Sequence, residues 1–241
     1  MSKIHHFGDS YGEALYDLKN KNKIKHFVEL ISEQLGFEYK CEAFGGASNE
    51  QILNCLISCL NTFEKGDIVF INFTFFRRGC WYDDKNKLIK STNIYYNELH
   101  NDKLFQKAGE NKKIIDLVNY YIDYTEDYTR RIFALISSLL CQIDKMGVNI
   151  FYIFADDFKF AHDLLKIGNN IIFKNGFTKW LRKYEFHKEQ EGHYSKGIQP
   201  AIANAIINKT NNLSKLYNKT YHITIEDIDL NVILKSKKNI I

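Results

Sequence analysis

The sequence predicts an α/β domain in which helices cover both faces of a mostly parallel sheet. Ile68 to Phe73 and Val148 to Phe154 are near-continuous apolar runs of strand length, the pattern of strands buried on both faces. A helical pattern precedes each of them. Ile52, Leu53, Leu56, Ile57 and Leu60 share one stripe before the first run, and Tyr128 to Met146 is strongly amphipathic before the second. Strand and helix patterns go on alternating along the chain, which argues for parallel strands joined by right-handed crossovers.

Taken in order, Lys3 to Phe7 is a short apolar strand that stops at Gly8-Asp9-Ser10. Tyr11 to Leu35 reads mostly as helix, broken in the Asn/Lys stretch at 19–23 and closed by Gly36 as the residue after the cap. Phe37 to Phe44 reads as a strand and Asn49 to Phe63 as a helix, with a turn at Gly66-Asp67 before the first long apolar run. Gly79 to Asp127 is irregular, rich in aromatic and charged residues, with a helix near Lys112 to Ile122; it reads as an insertion. After Gly147 and the second apolar run come Asp156-Asp157, a weaker strand at Asn170 to Phe173, a loop to His193 and a helix over Ala201 to Ile207. Tyr221 to Ile225 alternates as an edge strand or an interface arm would. No repeat and no Gly/Ser- or Pro-rich linker divides the chain. One domain is therefore expected over 1–210, with an insertion at about 79–127 and a C-terminal extension over 211–241.

Composition limits the function classes. The 241 residues are 45% apolar and 26% charged, an ordinary globular balance that allows a sizeable core. A net charge of +4 on dispersed lysines does not predict a nucleic-acid partner, and Lys235, Lys237 and Lys238 read as a solvated end. No apolar stretch reaches membrane-spanning length and no secretory apolar region follows Lys3. The five cysteines lack paired zinc spacing; Cys55 and Cys59 fall on one helix face. Buried thiols and a cytoplasmic, reducing setting are the expectation. Neither a metal nor a cofactor is called for, and oligomeric state stays open.

In parallel α/β sheets reactive groups gather at the carboxyl ends of the strands. Four stretches fall there or in late loops: FGDSYG with Ser10, AFGGASNEQI from Ala43 to Ile52, DIVFINFTFFRR from Asp67 to Arg78, and EGHYSKG from Glu191 to Gly197. In this order they resemble the SGNH (GDSL-type) hydrolase family over about residues 3–210. Gly8-Asp9-Ser10 matches the family's first block, whose Ser is the nucleophile. Gly46 matches the second-block glycine, whose N–H helps form the oxyanion hole together with the N–H of the nucleophile, here Ser10. His193, followed by Ser195 and Gly197, matches the last block, whose His is the general base. The resemblance implies a three-layer α/β/α sandwich of about five parallel strands in the flavodoxin-like order 2-1-3-4-5.

Two blocks depart from the family pattern. The third block usually reads Gly-x-Asn-Asp, with the Asn donating to the oxyanion. Here the run is Ile71-Asn72-Phe73-Thr74-Phe75-Phe76-Arg77-Arg78, which leaves Thr74, or alternatively Asn72, as the replacement donor. Arg78 and Asn49 are candidates for substrate binding. The family's Asp three residues before the His is replaced by Gln190. A Gln carbonyl can hold the His tautomer but cannot stabilise an imidazolium by charge. Glu189 and Glu191 flank it, and Glu191 is the favoured carboxylate.

Each residue also has a plainer reading. Ser10 could cap a helix, and Gly45-Gly46 could be only a turn with Ser48 as the N-cap. Thr74 could be structural, Arg78 a solvated surface residue, and His193 an exposed loop histidine. His5 and His6 are strand neighbours pointing to opposite faces, so they read as structural rather than as a metal pair. Asp156-Asp157 reads as a turn and N-cap. The aromatics Phe73, Phe75, Phe76, Trp81, Tyr82, Tyr95, Tyr96, Tyr120 and Tyr121 could line an acyl or sugar site or form a subdomain core. The resulting expectation is a serine esterase acting on an acyl, acetyl-sugar or lipid ester, a small-molecule or glycan ester substrate, through a Ser10 acyl-enzyme. The alternatives are a catalytically weakened glycan-binding or structural module, and an O-acyltransferase of the same fold.

Overall fold

A computed structural model describes residues 2–9, 15–16, 23–74, 78–82, 88–93, 125–155, 165, 167–173, 177, 198–210 and 221–225. In chain order the elements are β1 (Lys3–Gly8), β2 (Leu15–Tyr16), β3 (Lys23–Ile24), α1 (Phe27–Leu35), β4 (Glu38–Ala43) and α2 (Asn49–Cys59). A 3-10 turn (Leu60–Thr62), β5 (Ile68–Phe73), β6 (Arg78–Tyr82), β7 (Leu88–Asn93), α3 (Thr125–Lys145) and β8 (Asn149–Phe154) follow. The chain continues with β9 (Asn169–Phe173), α4 (Ile198–Thr210) and β10 (Tyr221–Ile225). The main sheet has six strands in the order β4-β1-β5-β8-β9-β10. Every adjacent pair is parallel.

The predicted α/β class and the 2-1-3-4-5 order are therefore present, with β10 added as a sixth, edge strand. The alternating stretch Tyr221–Ile225 pairs parallel to β9, so part of the expected extension belongs to the sheet. The sheet separates two apolar layers. Ile4, Phe70, Phe151, Ile153 and Ile171 pack with residues of α1 and α4 on one face. Phe7, Val69, Ile71, Phe73, Ile150, Tyr152 and Phe154 pack with α2 and α3 on the other. All six residues of β5 and all six of β8 are buried, as their near-continuous apolar runs require. Each of their Val, Ile and Phe side chains taken from water contributes about 1.5–3 kcal/mol.

Local chemistry sets the helix boundaries. α1 starts at His26, whose Nδ1 accepts the Val28 N–H at 3.2 Å, and ends at Gly36, which is left-handed with φ 68°. There the Phe37 N–H returns to the Ser32 carbonyl at 2.9 Å. α2 opens with a reciprocal box. The Gln51 N–H donates to Ser48 Oγ at 3.2 Å, and the Ser48 N–H donates to Gln51 Oε1 at 2.9 Å.

Three readings are corrected. Among the described residues of the helix expected over Tyr11–Leu35, the helix begins at Phe27; before it, β2 and β3 form a two-residue antiparallel ladder. A pair that short leaves no periodicity to read. Four thiols are less buried than expected: Cys41 is exposed on the edge strand β4, and Cys55, Cys59 and Cys141 are half-buried. The stretch expected to be irregular begins with a two-stranded antiparallel ribbon, β6–β7, separate from the main sheet. The helix expected near 112–122 and Asp156-Asp157 lie outside the described residues.

His5 and His6 point to opposite faces. His5 Nε2 lies 3.4 Å from Asp67 Oδ2 on the α2 side, and its ring meets Phe63 edge-on. His6 is fully buried on the α1 side, with Nδ1 2.9 Å from Tyr39 Oη and its ring stacked on His26 at 4.7 Å. Burial drives the His6 pKa well below that of a free imidazole, and the neighbouring His26 adds to the effect. Below about pH 6.5 the unfolded chain binds a proton that the folded His6 refuses, so acid removes stability at up to about 1.4 kcal/mol per pH unit. The urea midpoint should fall between pH 7 and 5.5, and His6→Phe should flatten that slope. An unchanged slope in the variant would show that the acid sensitivity arises elsewhere.

Candidate functional site

Three strand ends meet at the carboxyl rim of the sheet. β1 and β5 are in register with Gly8 opposite Asn72, so Asp9 and Thr74 both emerge just past the paired region. β4 lies on the other side of β1 with Ala43 opposite Gly8, and the Gly45-Gly46 turn follows it. Gly46 has φ 81°, a conformation glycine adopts without a Cβ clash. The turn feeds Ser48 and the first residue of α2, Asn49.

A ring of hydrogen bonds joins these ends. The Phe44 N–H donates to the Gly8 carbonyl at 3.2 Å, and the Ala47 N–H donates to the Phe44 carbonyl at 3.3 Å. Asn49 grips the backbone of Thr74 at both ends of its carboxamide. Its Oδ1 accepts the Thr74 N–H at 3.0 Å, and its Nδ2 donates to the Thr74 carbonyl at 3.2 Å. The Thr74 hydroxyl donates to Asp9 Oδ2 at 2.6 Å. Asp9, Asn49 and Thr74 are all buried. A buried acidic side chain needs hydrogen-bond partners, and the Thr74 hydroxyl supplies one to Asp9. One further bond, from the Ala155 N–H to the Phe73 carbonyl at 2.9 Å, carries the ring to the end of β8.

The opposite side of the rim is tied as well. The C-terminal end of α1 sits at the base of the sheet, where the Glu38 N–H donates to the Ser2 carbonyl at 3.1 Å. α1 therefore begins at the carboxyl rim. The Phe27 N–H at that beginning donates to Oε1 of the buried Gln199, in the first turn of α4, at 2.8 Å. α4 thus also begins at the rim, and His193 precedes it in the chain by a few residues.

Among the residues singled out from the sequence, the structure brings Gly46, Asn49 and Thr74 to one rim. Asn49, expected as a substrate ligand, has both carboxamide atoms bonded to Thr74. Asn72 occupies a strand position on the same face as Phe70, toward α1 and α4, and the Thr74 hydroxyl, past the paired region, bonds Asp9. Arg78 opens β6, paired with Asn93. Ser10, Glu189, Gln190, Glu191 and His193 lie outside the described residues. The Asp9 side chain was not singled out. Its signal was an acidic residue directly after an apolar strand, which is solvated in a loop but must be partnered if buried.

Among the described residues no group of three or more His, Cys, Asp or Glu side chains is arranged to hold a metal ion. No helix among them is long and apolar enough to cross a membrane.

No family model and no curated protein matches the sequence. Solved structures that resemble it include the Bacillus subtilis protein YxiM, at 14% identity and a TM-score of 0.36, covering 98% of this chain and 45% of that one. This chain therefore spans less than half the length of that protein. A carbohydrate esterase is similar at 12% identity and a TM-score of 0.48, covering 87% of this chain and 68% of the other. A protein described as a GDSL-like lipase from Parabacteroides merdae is similar at 12% identity and a TM-score of 0.45, covering 87% and 95%.

Proposed function

We propose that the chain is a serine ester hydrolase in which Ser10 attacks an acyl ester and His193 takes its proton. The convergence at one rim supports this reading: Gly8 and Asp9 at the end of β1, the Gly46 turn, the end of β5 and the start of α4 are all tied there. Ser10 is the next residue after Asp9, and His193 lies shortly before the α4 anchor. The chemistry needs this layout. A serine hydroxyl is a poor nucleophile until a base removes its proton, and the base must come within hydrogen-bond reach. His193 would then protonate the leaving alcohol and later activate water to release the acid. The N–H groups of Ser10 and Gly46 would stabilise the tetrahedral oxyanion, a donor of this kind contributing about 3–4 kcal/mol.

Gln190 favours a second reading, a binding module of the same fold with a weakened site, because a neutral amide cannot support an imidazolium as a carboxylate does. A fluorophosphonate separates the two. The intact protein should be phosphonylated, with the adduct on the peptide that contains Ser10, and Ser10→Ala should not react. An unlabelled intact protein, or a label that persists in Ser10→Ala, would remove the hydrolase reading. Adding a sugar alcohol to the ester assay tests for transfer, since only an acyltransferase would give an acylated acceptor.

A further inference from the structure

We infer that Thr74 is a positioning residue for the nucleophile rather than a donor to the oxyanion, acting through Asp9 and held in place by Asn49. The inference rests on the Ser10 reading above. A threonine hydroxyl has one proton to donate. In Thr74 that proton goes to Asp9 Oδ2 at 2.6 Å, a short bond of the charge-assisted kind. Pointing it at an oxyanion would require breaking that bond and leaving a carboxylate that is 1% exposed with one partner fewer.

The ring geometry shows what the bond does instead. Asp9 is the last described residue before Ser10, and two tethers fix this stretch. Its backbone is tied at the Gly8 carbonyl by the Phe44 N–H, and its side chain at Oδ2 by Thr74. The two tethers come from different strand ends, β4 and β5. Asn49 locks those ends together, because it is the first residue of the helix that follows β4 and holds both backbone groups of Thr74. Gly46 lies within the same closed ring, between Phe44 and Asn49. The ring therefore fixes Asp9, the residue before the proposed nucleophile, relative to the turn carrying Gly46. Reaction rates are sensitive to such placement at the scale of about 1 Å.

Thr74→Val removes the hydroxyl while keeping the branched shape, and Thr74→Ser keeps the hydroxyl. With p-nitrophenyl acetate as substrate and active sites counted by fluorophosphonate titration, Thr74→Val should lower kcat by roughly 10- to 100-fold, leaving KM within about threefold. Thr74→Ser should recover most of the rate. Asn49→Ala should give a loss of kcat in the same direction, again with KM nearly unchanged. A purely structural role would reduce the number of titratable sites without changing turnover per site. Equal turnover per site in Thr74→Val and the intact protein would overturn the inference, as would a Thr74→Ser variant as impaired as Thr74→Val. If Thr74→Val and Asn49→Ala both fail to fold, the ring serves stability and the inference is lost. An intact protein that does not react with the fluorophosphonate would instead overturn the hydrolase reading, and the positioning role with it.

Discussion

Replacing His193 with alanine should lower kcat/KM for a p-nitrophenyl ester by on the order of 10⁴-fold or more, with little change in folding stability. The size follows from the general-base role proposed for His193. Without a base the Ser10 hydroxyl stays protonated at neutral pH, and the remaining catalysis comes from the oxyanion donors and binding alone. The residue behind the histidine decides how large the effect is, and this chain offers Gln190 where an acid would be expected, between Glu189 and Glu191. If Glu191 supplies the charge, Glu191→Gln should cost on the order of 10³-fold, because the tautomer would be lost along with the support for the imidazolium. Glu189→Gln should then be nearly silent. Gln190→Asp should leave the rate unchanged or raise it. If His193 acts as the proposed base, the rate of the intact protein should rise with pH as that base loses its proton, and His193→Ala should abolish that limb. A His193→Ala variant within tenfold of the intact rate would remove His193 from the mechanism.

The sheet was largely legible because burial on both faces leaves a strong mark. Ile68–Phe73 and Val148–Phe154 admit little polarity, and they became the two central strands β5 and β8. The edge was harder. An alternating stretch such as Tyr221–Ile225 shows that one face is apolar but not which strand it will join. The ladder of β2 and β3 carried no readable period at all.

The candidate site divides in the same way. Gly46 could be read because glycine before a helix cap is a local pattern. The bond from Thr74 to Asp9 could not be read. Its partners are 65 residues apart in sequence. Their meeting depends on the β1–β5 register that sets Gly8 opposite Asn72, and a slip of one residue would turn one of the side chains to the other face. Asn49 was visible as a polar residue near a rim, but that its carboxamide spans a backbone unit of another strand is a property of packing alone.

Gly8→Ala should destabilise the fold by about 1–3 kcal/mol and also slow the reaction of Ser10 with a fluorophosphonate. Gly8 is required for space, not for a left-handed dihedral, since it is not among the described glycines with positive φ. A Cβ at this position would lie 2.9 Å from the Cβ of Asn72, 3.2 Å from its carbonyl oxygen and 3.6 Å from its Cα. Those atoms belong to the neighbouring strand or sit directly on it, so no rotamer change relieves the contact. β1 and β5 must part locally, at the residue whose carbonyl accepts from Phe44 and whose successor is held by Thr74. Gly36→Ala is the informative contrast. A Cβ there has nothing within 4 Å, but φ 68° strains any side chain, so the expected loss is about 1 kcal/mol at the far end of α1. In a chain of this size each kcal/mol should lower Tm by about 2–4 °C. Both variants should melt early, and only Gly8→Ala should react slowly per folded molecule. If Gly8→Ala keeps the full reaction rate while its Tm falls, the contact with Asn72 supports the sheet without placing the nucleophile.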